Sequence, residues 1–198
     1  MYGKVILGGT FSLFHRGHRH LLKVAAKLAG NELLVGVTSD EYVTRNPKPH
    51  PVEPYEVRAL RVLLYCIKAV RRGVRVCVFP LDDPFGPLIS EPRLNCVVVS
   101  EETFPRAVEA NILRKKKGLK PLPIVAVEMV TDEEGRPLSS TALWARGLAK
   151  QELKHLLYEE VPGGEPDEVG RKPHYRSGRA MRYEHYHSLD KEEHCEQG

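Results

Sequence analysis

The amino-acid sequence predicts an α/β protein: a doubly wound, parallel, five-stranded sheet with helices on both faces, followed by a polar tail. Three observations predict it. Short apolar runs that read as buried strands alternate with segments whose apolar residues recur at helical spacing, the pattern of a parallel sheet covered on both sides. A Gly-Gly pair closes the first run, where such sheets place their ligands. The pattern stops near residue 160, leaving a segment too poor in apolar residues to offset its ordering entropy. Residues 1–160 are therefore expected to form one domain and residues 161–198 a disordered tail.

The elements follow in order. Residues 4–7 read as the first strand, ended by Gly8 and Gly9. Over residues 17–28, Leu21, Leu22, Ala25 and Leu28 recur at helical spacing. Residues 33–37 give a second strand, and residues 46–51 a Pro-rich loop that no regular element tolerates. Glu53-Pro54 opens the next helix, with proline in a first-turn position. Val57, Leu60, Leu64 and Ile67 are its expected inward stripe, with Arg58, Arg61, Lys68 and Arg71 on the other faces. Strands are predicted at 74–79, 96–99 and 124–130, helices at 103–117, 141–150 and 151–158. Ligands of a sheet of this kind lie beyond the carboxyl ends of the strands, so residues 8–18, 37–40, 100–103 and 131–141 are the expected site.

Composition narrows the function. No apolar run approaches the roughly 20 residues of a membrane span, and the first residues run straight into a strand without a signal-peptide pattern, so the chain reads as cytoplasmic. Residues 159–198 hold ten acids against six Lys/Arg; the whole chain is +4, which leaves +8 on residues 1–158. A basic body suits polyphosphate ligands or nucleic acid. Cys66, Cys77 and Cys96 sit in apolar surroundings and Cys195 in the tail, with no C-x-x-C pair, so they read as free thiols. The basic run from Arg114 to Lys117 lacks the interleaved aromatics of a single-strand platform and reads as a solvated helix end; no nucleic-acid partner is expected.

The segment with the most chemistry is Gly8-Gly9-Thr10-Phe11-Ser12-Leu13-Phe14-His15-Arg16-Gly17-His18. Glycines after a strand allow close backbone approach, and the helix that follows offers unpaired N–H groups and a positive dipole end, a natural phosphate cradle. His15 and His18, three residues apart, can both project from the helix start and stabilise phosphate charge during a transfer. A metal pair is the other reading of His-x-x-His, but no carboxylate or thiol completes a ligand set, so no metal residues are assigned.

Gly-Gly-Thr-Phe followed by His15-x-Gly17-His18 resembles the T/HxGH signature of nucleotidylyltransferases, and Leu138-Ser139-Ser140-Thr141 is similar to the segment with which they grip the nucleotide. Residues 36–41, 53–58, 98–103 and 111–119 look like archaeal-type phosphopantetheine adenylyltransferase. The resemblance implies a Rossmann-like fold and adenylyl transfer from ATP to 4′-phosphopantetheine with Mg²⁺, giving dephospho-coenzyme A and pyrophosphate. It implies that Thr10, with the backbone of Gly9 and Phe11, holds the attacking phosphate, that Gly8 belongs to the same binding loop, and that His18, helped by His15, binds the ATP phosphates. Ser100, Glu101, Ser139, Ser140 and Thr141 would line the nucleotide. The family usually carries Asp where this chain has Ser12, and Arg or Lys where it has Trp144; Arg45, Lys48 and Arg146 are the candidate phosphate cations. The alternatives are transfer to another phosphate acceptor, such as nicotinamide mononucleotide, FMN or glycerol phosphate, and a non-catalytic nucleotide-binding module.

Overall fold

The computed structural model describes residues 1–147. The predicted 151–158 helix, the end of the predicted 141–150 helix, Cys195 and the tail lie outside them. Five strands, β1 (Tyr2–Gly9), β2 (Ala29–Thr38), β3 (Arg75–Leu81), β4 (Cys96–Ser100) and β5 (Ile124–Val127), form one parallel sheet in the order β3-β2-β1-β4-β5. The chain winds outward from β1 to β3, then crosses back to lay β4 against the other side of β1. That reversal opens a crevice at the carboxyl ends of β1 and β4. Five helices connect or follow the strands: α1 (Arg16–Leu28), α2 (Asp40–Arg45), α3 (Tyr55–Ala69), α4 (Phe104–Lys116) and α5 (Ser140–Ala145). No helix among the described residues is long and apolar enough to cross a membrane.

The core lies in two layers. On one face Val5, Leu7, Leu33, Val35 and Val37 pack with Leu22, Ala25 and Ala26 of α1 and with Val62 and Cys66 of α3. On the other, Ile6, Val97 and Val99 pack with Ala107 of α4 and Leu122. Alternation along β1 sends successive side chains to opposite layers, which is why a continuous apolar run reads as a doubly covered strand. Cys66 and Cys96 are buried free thiols, and burial pushes Cys66 up to about 12 and Cys96 up to about 11.

The α3 reading needs correction. Val57, Leu60, Leu64 and Ile67 do not face the core; they are 38%, 50%, 50% and 56% exposed. Arg58, Val62 and Cys66 are the buried residues of the helix. Both faces of α3 are apolar, so periodicity leaves its rotation undecided. A polar anchor decides it: the Arg58 guanidinium, fully buried, donates to the carbonyls of Thr10, Thr38 and Glu53 and to the Asp40 carboxylate. A buried charge with this many acceptors is tolerated where an unpaired one is not. Arg114 repeats the logic in α4. It is buried, not solvated, and staples the carbonyls of Leu88, Glu91 and Lys120, while Lys115, Lys116 and Lys117 stay exposed.

Candidate functional site

The β1–α1 loop turns through two left-handed residues that are not glycine, Phe11 (φ 55°) and Leu13 (φ 51°). Each such residue costs on the order of 1–2 kcal/mol, so the loop holds its shape only because its surroundings over-determine it. Phe11, Leu13 and Phe14 are buried anchors. The Thr10 carbonyl accepts from Arg58, the Leu13 N–H donates to the Glu53 carboxylate, and the Ser12 carbonyl accepts from the Ser140 hydroxyl at 2.8 Å. Glu53 in turn is paired with Arg61 at 2.6 Å. Burial pulls the Glu53 carboxyl upward, but the hydrogen bonds from its own N–H, Leu13 and Arg61 prevail and hold it below its ordinary value.

His15 is the N-cap of α1. Its Nδ1 accepts from the Gly17 N–H at 3.2 Å, while Nδ1 of His18 accepts from the His15 N–H at 3.4 Å, a capping box built from two imidazoles. A Cβ on Gly17 would stand 3.0 Å from the His15 ring, close enough that the ring would have to shift by a few tenths of an ångström. The two rings stack at 3.8 Å, and Phe11 and Phe14 pack on His18 from other sides. With both Nδ1 atoms accepting, each ring carries its proton on Nε2. Burial first, then the charges of Arg19 and His50, lowers His15 from 6.5 to about 4. Burial and then His15 hold His18 well below its ordinary value. Both imidazoles are thus neutral N–H donors in the free protein rather than cations.

That neutrality is linked to stability. The unfolded chain binds more protons than the folded one wherever pH lies below the unfolded pKa, so stability is full above about 6.5 and falls as pH drops toward the folded value. The His15 shift alone is worth about 3 kcal/mol over its range. Urea unfolding should show stability falling between about pH 6.5 and about pH 5, before most carboxylates titrate. The His15→Gln variant should flatten that slope; an unchanged slope would refute the assignment.

The loop opens onto a cleft of about 700 Å³ at the point where the strand order reverses. Gly8, Gly9, Thr10, Phe11, His15, His18, Ser100, Ser139, Ser140 and Thr141 all line it. Their hydroxyls are less free than a ligand-binding role suggests. Ser139 Oγ caps α5 by accepting from the Ala142 N–H, Ser140 Oγ donates to Ser12, and Ser100 Oγ pairs with Thr103 Oγ1 at 3.0 Å. Glu101 does not line the cleft. It turns toward the Met129 N–H at 3.4 Å, and its neighbours Glu102, Thr103 and Arg106 take the place expected for it.

Of the three candidate cations, Lys48 lines the cleft. Arg45 donates to the Glu41 and Asp82 carbonyls, and Arg146 pairs with Asp132 at 2.5 Å. Trp144 is half-exposed outside the cleft. Arg106 is a cleft cation that sequence reasoning missed, since nothing in its spacing separates it from a solvated helix face. Arg58, Glu53 and Asp40 were missed as loop supports for a different reason: their partners are remote in sequence.

Comparison with known proteins places this geometry. The cytidylyltransferase-like family model matches residues 6–146. The phosphopantetheine adenylyltransferase of Methanosarcina mazei is 43% identical over 71% of this chain and 89% of its own length. That of Methanopyrus kandleri is 41% identical over 72% of this chain and 88% of its own, and that of Pyrobaculum aerophilum 39% identical over 77% and 96%. Among solved structures, a protein of unknown function from Archaeoglobus fulgidus superposes with a TM-score of 0.55 at 33% identity, covering 64% of this chain and 99% of that one. The loop with its paired histidines, the Ser-Ser-Thr helix start and these relatives agree: the chain belongs to the cytidylyltransferase-like family, on the branch of the archaeal phosphopantetheine adenylyltransferases.

Proposed function

We propose that the protein transfers the adenylyl group of ATP to 4′-phosphopantetheine, releasing pyrophosphate and forming dephospho-coenzyme A. The observation that carries this reading is the hydrogen bond from Ser140 to Ser12, which joins two phosphate-type motifs 128 residues apart into one cleft. The relatives' shared name supplies the acceptor. In the reaction a phosphate oxygen of phosphopantetheine attacks the α-phosphorus of ATP, and the bond from that phosphorus to the bridging oxygen breaks as pyrophosphate leaves. The nucleophile is already anionic, so the protein needs no strong general base; its work is orientation and charge stabilisation.

The roles follow from position. Thr10 and the backbone of Gly9 and Phe11 hold the attacking phosphate. The Nε2–H of His18 donates to the phosphate oxygens as charge redistributes, with His15 fixing its ring. Lys48 and Arg106, which both line the cleft, supply positive charge, and Ser100 and Thr141 line the nucleotide. Among the described residues no three His, Cys, Asp or Glu side chains gather into a ligand set. A Mg²⁺ that enters on the triphosphate fits this, because such an ion keeps most of its waters and takes at most one or two carboxylates. Glu102 is one of three cleft carboxylates, with Asp83 and Glu128, that would help hold it, and when bound the ion would neutralise charge on the leaving pyrophosphate. The reading assigns catalysis to residues 1–160, with small molecules rather than nucleic acid as partners, in the ATP-containing cytoplasm.

Pyrophosphate release from ATP, measured with each acceptor in turn, tests it. Release with 4′-phosphopantetheine and not with nicotinamide mononucleotide, FMN or glycerol phosphate is the expected result. Turnover with one of those instead, or ATP binding with no turnover at all, would overturn it.

A further inference from the structure

His50 lines the cleft and is only 8% exposed, and the proposed reaction gives it no part. It ends the Pro-rich loop, three residues before Glu53, whose carboxylate accepts from the Leu13 N–H and so holds this segment against the β1–α1 loop. Arg58 ties the same segment to Thr10 by donating to the carbonyls of both Glu53 and Thr10. His50 also lies near enough to His15 for its charge to act on that ring.

Its tautomer is the reverse of its neighbours'. Nδ1 stands 3.0 Å from the Pro51 carbonyl, which can only accept, so the neutral ring carries its proton on Nδ1. Nε2 then presents a lone pair. It has no partner among the described residues and is not sealed from solvent, so it opens on the cleft. His15 and His18 instead present Nε2–H donors. The cleft therefore combines two imidazole donors with one imidazole that accepts a proton.

A lone pair binds a phosphate oxygen only when a proton lies between them. The acids next to this loop are engaged: Asp40 with Arg58 and the Tyr55 N–H, Glu53 with Leu13 and Arg61. The other titratable groups that these elements turn to the cleft are His15, which Arg19 also acts on, Lys48 of the same loop and Tyr42 of α2. The cleft acids, Asp83, Glu102 and Glu128, come from the segments after β3, β4 and β5. An imidazolium at His50 thus finds its counter-charge in a ligand.

We infer that His50 binds the acceptor phosphate by sharing one proton with it, as imidazolium against dianion. This rests on the proposed reaction, which puts that phosphate at Thr10. When the acceptor arrives as a monoanion, its P–O–H proton passes to Nε2: the O–H bond breaks, the N–H bond forms and the nucleophile gains its second charge. When it arrives as a dianion, the proton comes from solvent. After attack the same phosphorus sits in a diphosphate linkage with one ionised oxygen, so its hold on the cation weakens and the proton returns to solvent. His50 in this way favours a terminal phosphate over a phosphodiester.

Calorimetry of the full chain with 4′-phosphopantetheine, in buffers of different ionisation enthalpy, tests this. At about pH 8 a free phosphomonoester has already lost its second proton, which leaves near pH 6. Binding should nonetheless take up about half a proton or more. His50→Gln should abolish the uptake and weaken acceptor binding about tenfold. His50→Lys, a fixed cation at that pH, should restore the affinity without the uptake, and thermal melts check that both variants fold. No uptake by the unaltered protein, or uptake unchanged in His50→Gln, would overturn the inference. So would uptake with ATP in place of 4′-phosphopantetheine, which would assign His50 to the γ-phosphate. A protein that takes up the proton without turnover keeps the His50 assignment and loses the reaction; one that turns over without uptake does the reverse.

Discussion

Replacing Arg58 with methionine should destabilise the protein by about 3–5 kcal/mol, the range for breaking a buried charge pair from one side. Methionine comes near to filling the space but takes the guanidinium from the half-exposed Asp40 carboxylate, which keeps the Tyr55 N–H, and leaves the buried carbonyls of Thr10, Thr38 and Glu53 without this donor. A loss of this size is a large part of the roughly 5–15 kcal/mol that holds an ordinary domain together. Arg58→Lys should fall between, since an ammonium reaches some of these acceptors but cannot span all four in a plane. Urea unfolding of the three proteins checks the order. A change below about 1 kcal/mol for the methionine variant would show that water replaces the guanidinium and that α3 is held by Val62 and Cys66 alone.

The second large effect is on rate. His18→Ala should lower kcat by about a hundredfold, the usual cost of removing a preorganised donor to developing charge. Two other variants separate the two nitrogens of this ring. Asparagine places an acceptor near Nδ1 and so preserves the bond from the His15 N–H; it offers no group at Nε2. Glutamine reaches the Nε2 position with an N–H and leaves the cap weakened. If His18 acts through Nε2–H, His18→Asn should be stable and slow, while His18→Gln keeps more of the rate and unfolds more easily. Steady-state kinetics and thermal melts on the same samples read both. Comparable rates in the asparagine variant and the unaltered protein would refute the role.

Much of this molecule is legible in its sequence because much of it is local. The strands are apolar runs ended by turn residues, and the loop from Gly8 to His18 is continuous, so both the sheet and this loop can be read along the chain. What escaped reading depends on groups brought together from afar. The rotation of α3 is set by acceptors at residues 10, 38, 40 and 53, none of which shows in the helical pattern. The short helix α2, of six residues, is too brief for periodicity to declare. Glu101 and Glu102 differ by one position in a tight turn after β4, and only the hydrogen bond to Met129 decides which faces the cleft.

Ser12 and Trp144 show the same limit in another form. Judged by pattern, each is a missing charge. In the structure Ser12 is almost fully buried and contributes its carbonyl to Ser140, a bond any residue type could supply. Trp144 stands half-exposed outside the cleft, so a cation in its place would not have lined it.

The tie between Ser140 and Ser12 has a meaning for synthesis as well as for chemistry. A polypeptide leaving the ribosome would already contain all five described strands once β5 had emerged, and the sheet could assemble then. The cradle, however, would lack its last brace until Ser140 followed. An interrupted chain stopping before residue 139 would therefore hold all five described strands and lack this brace of the cleft.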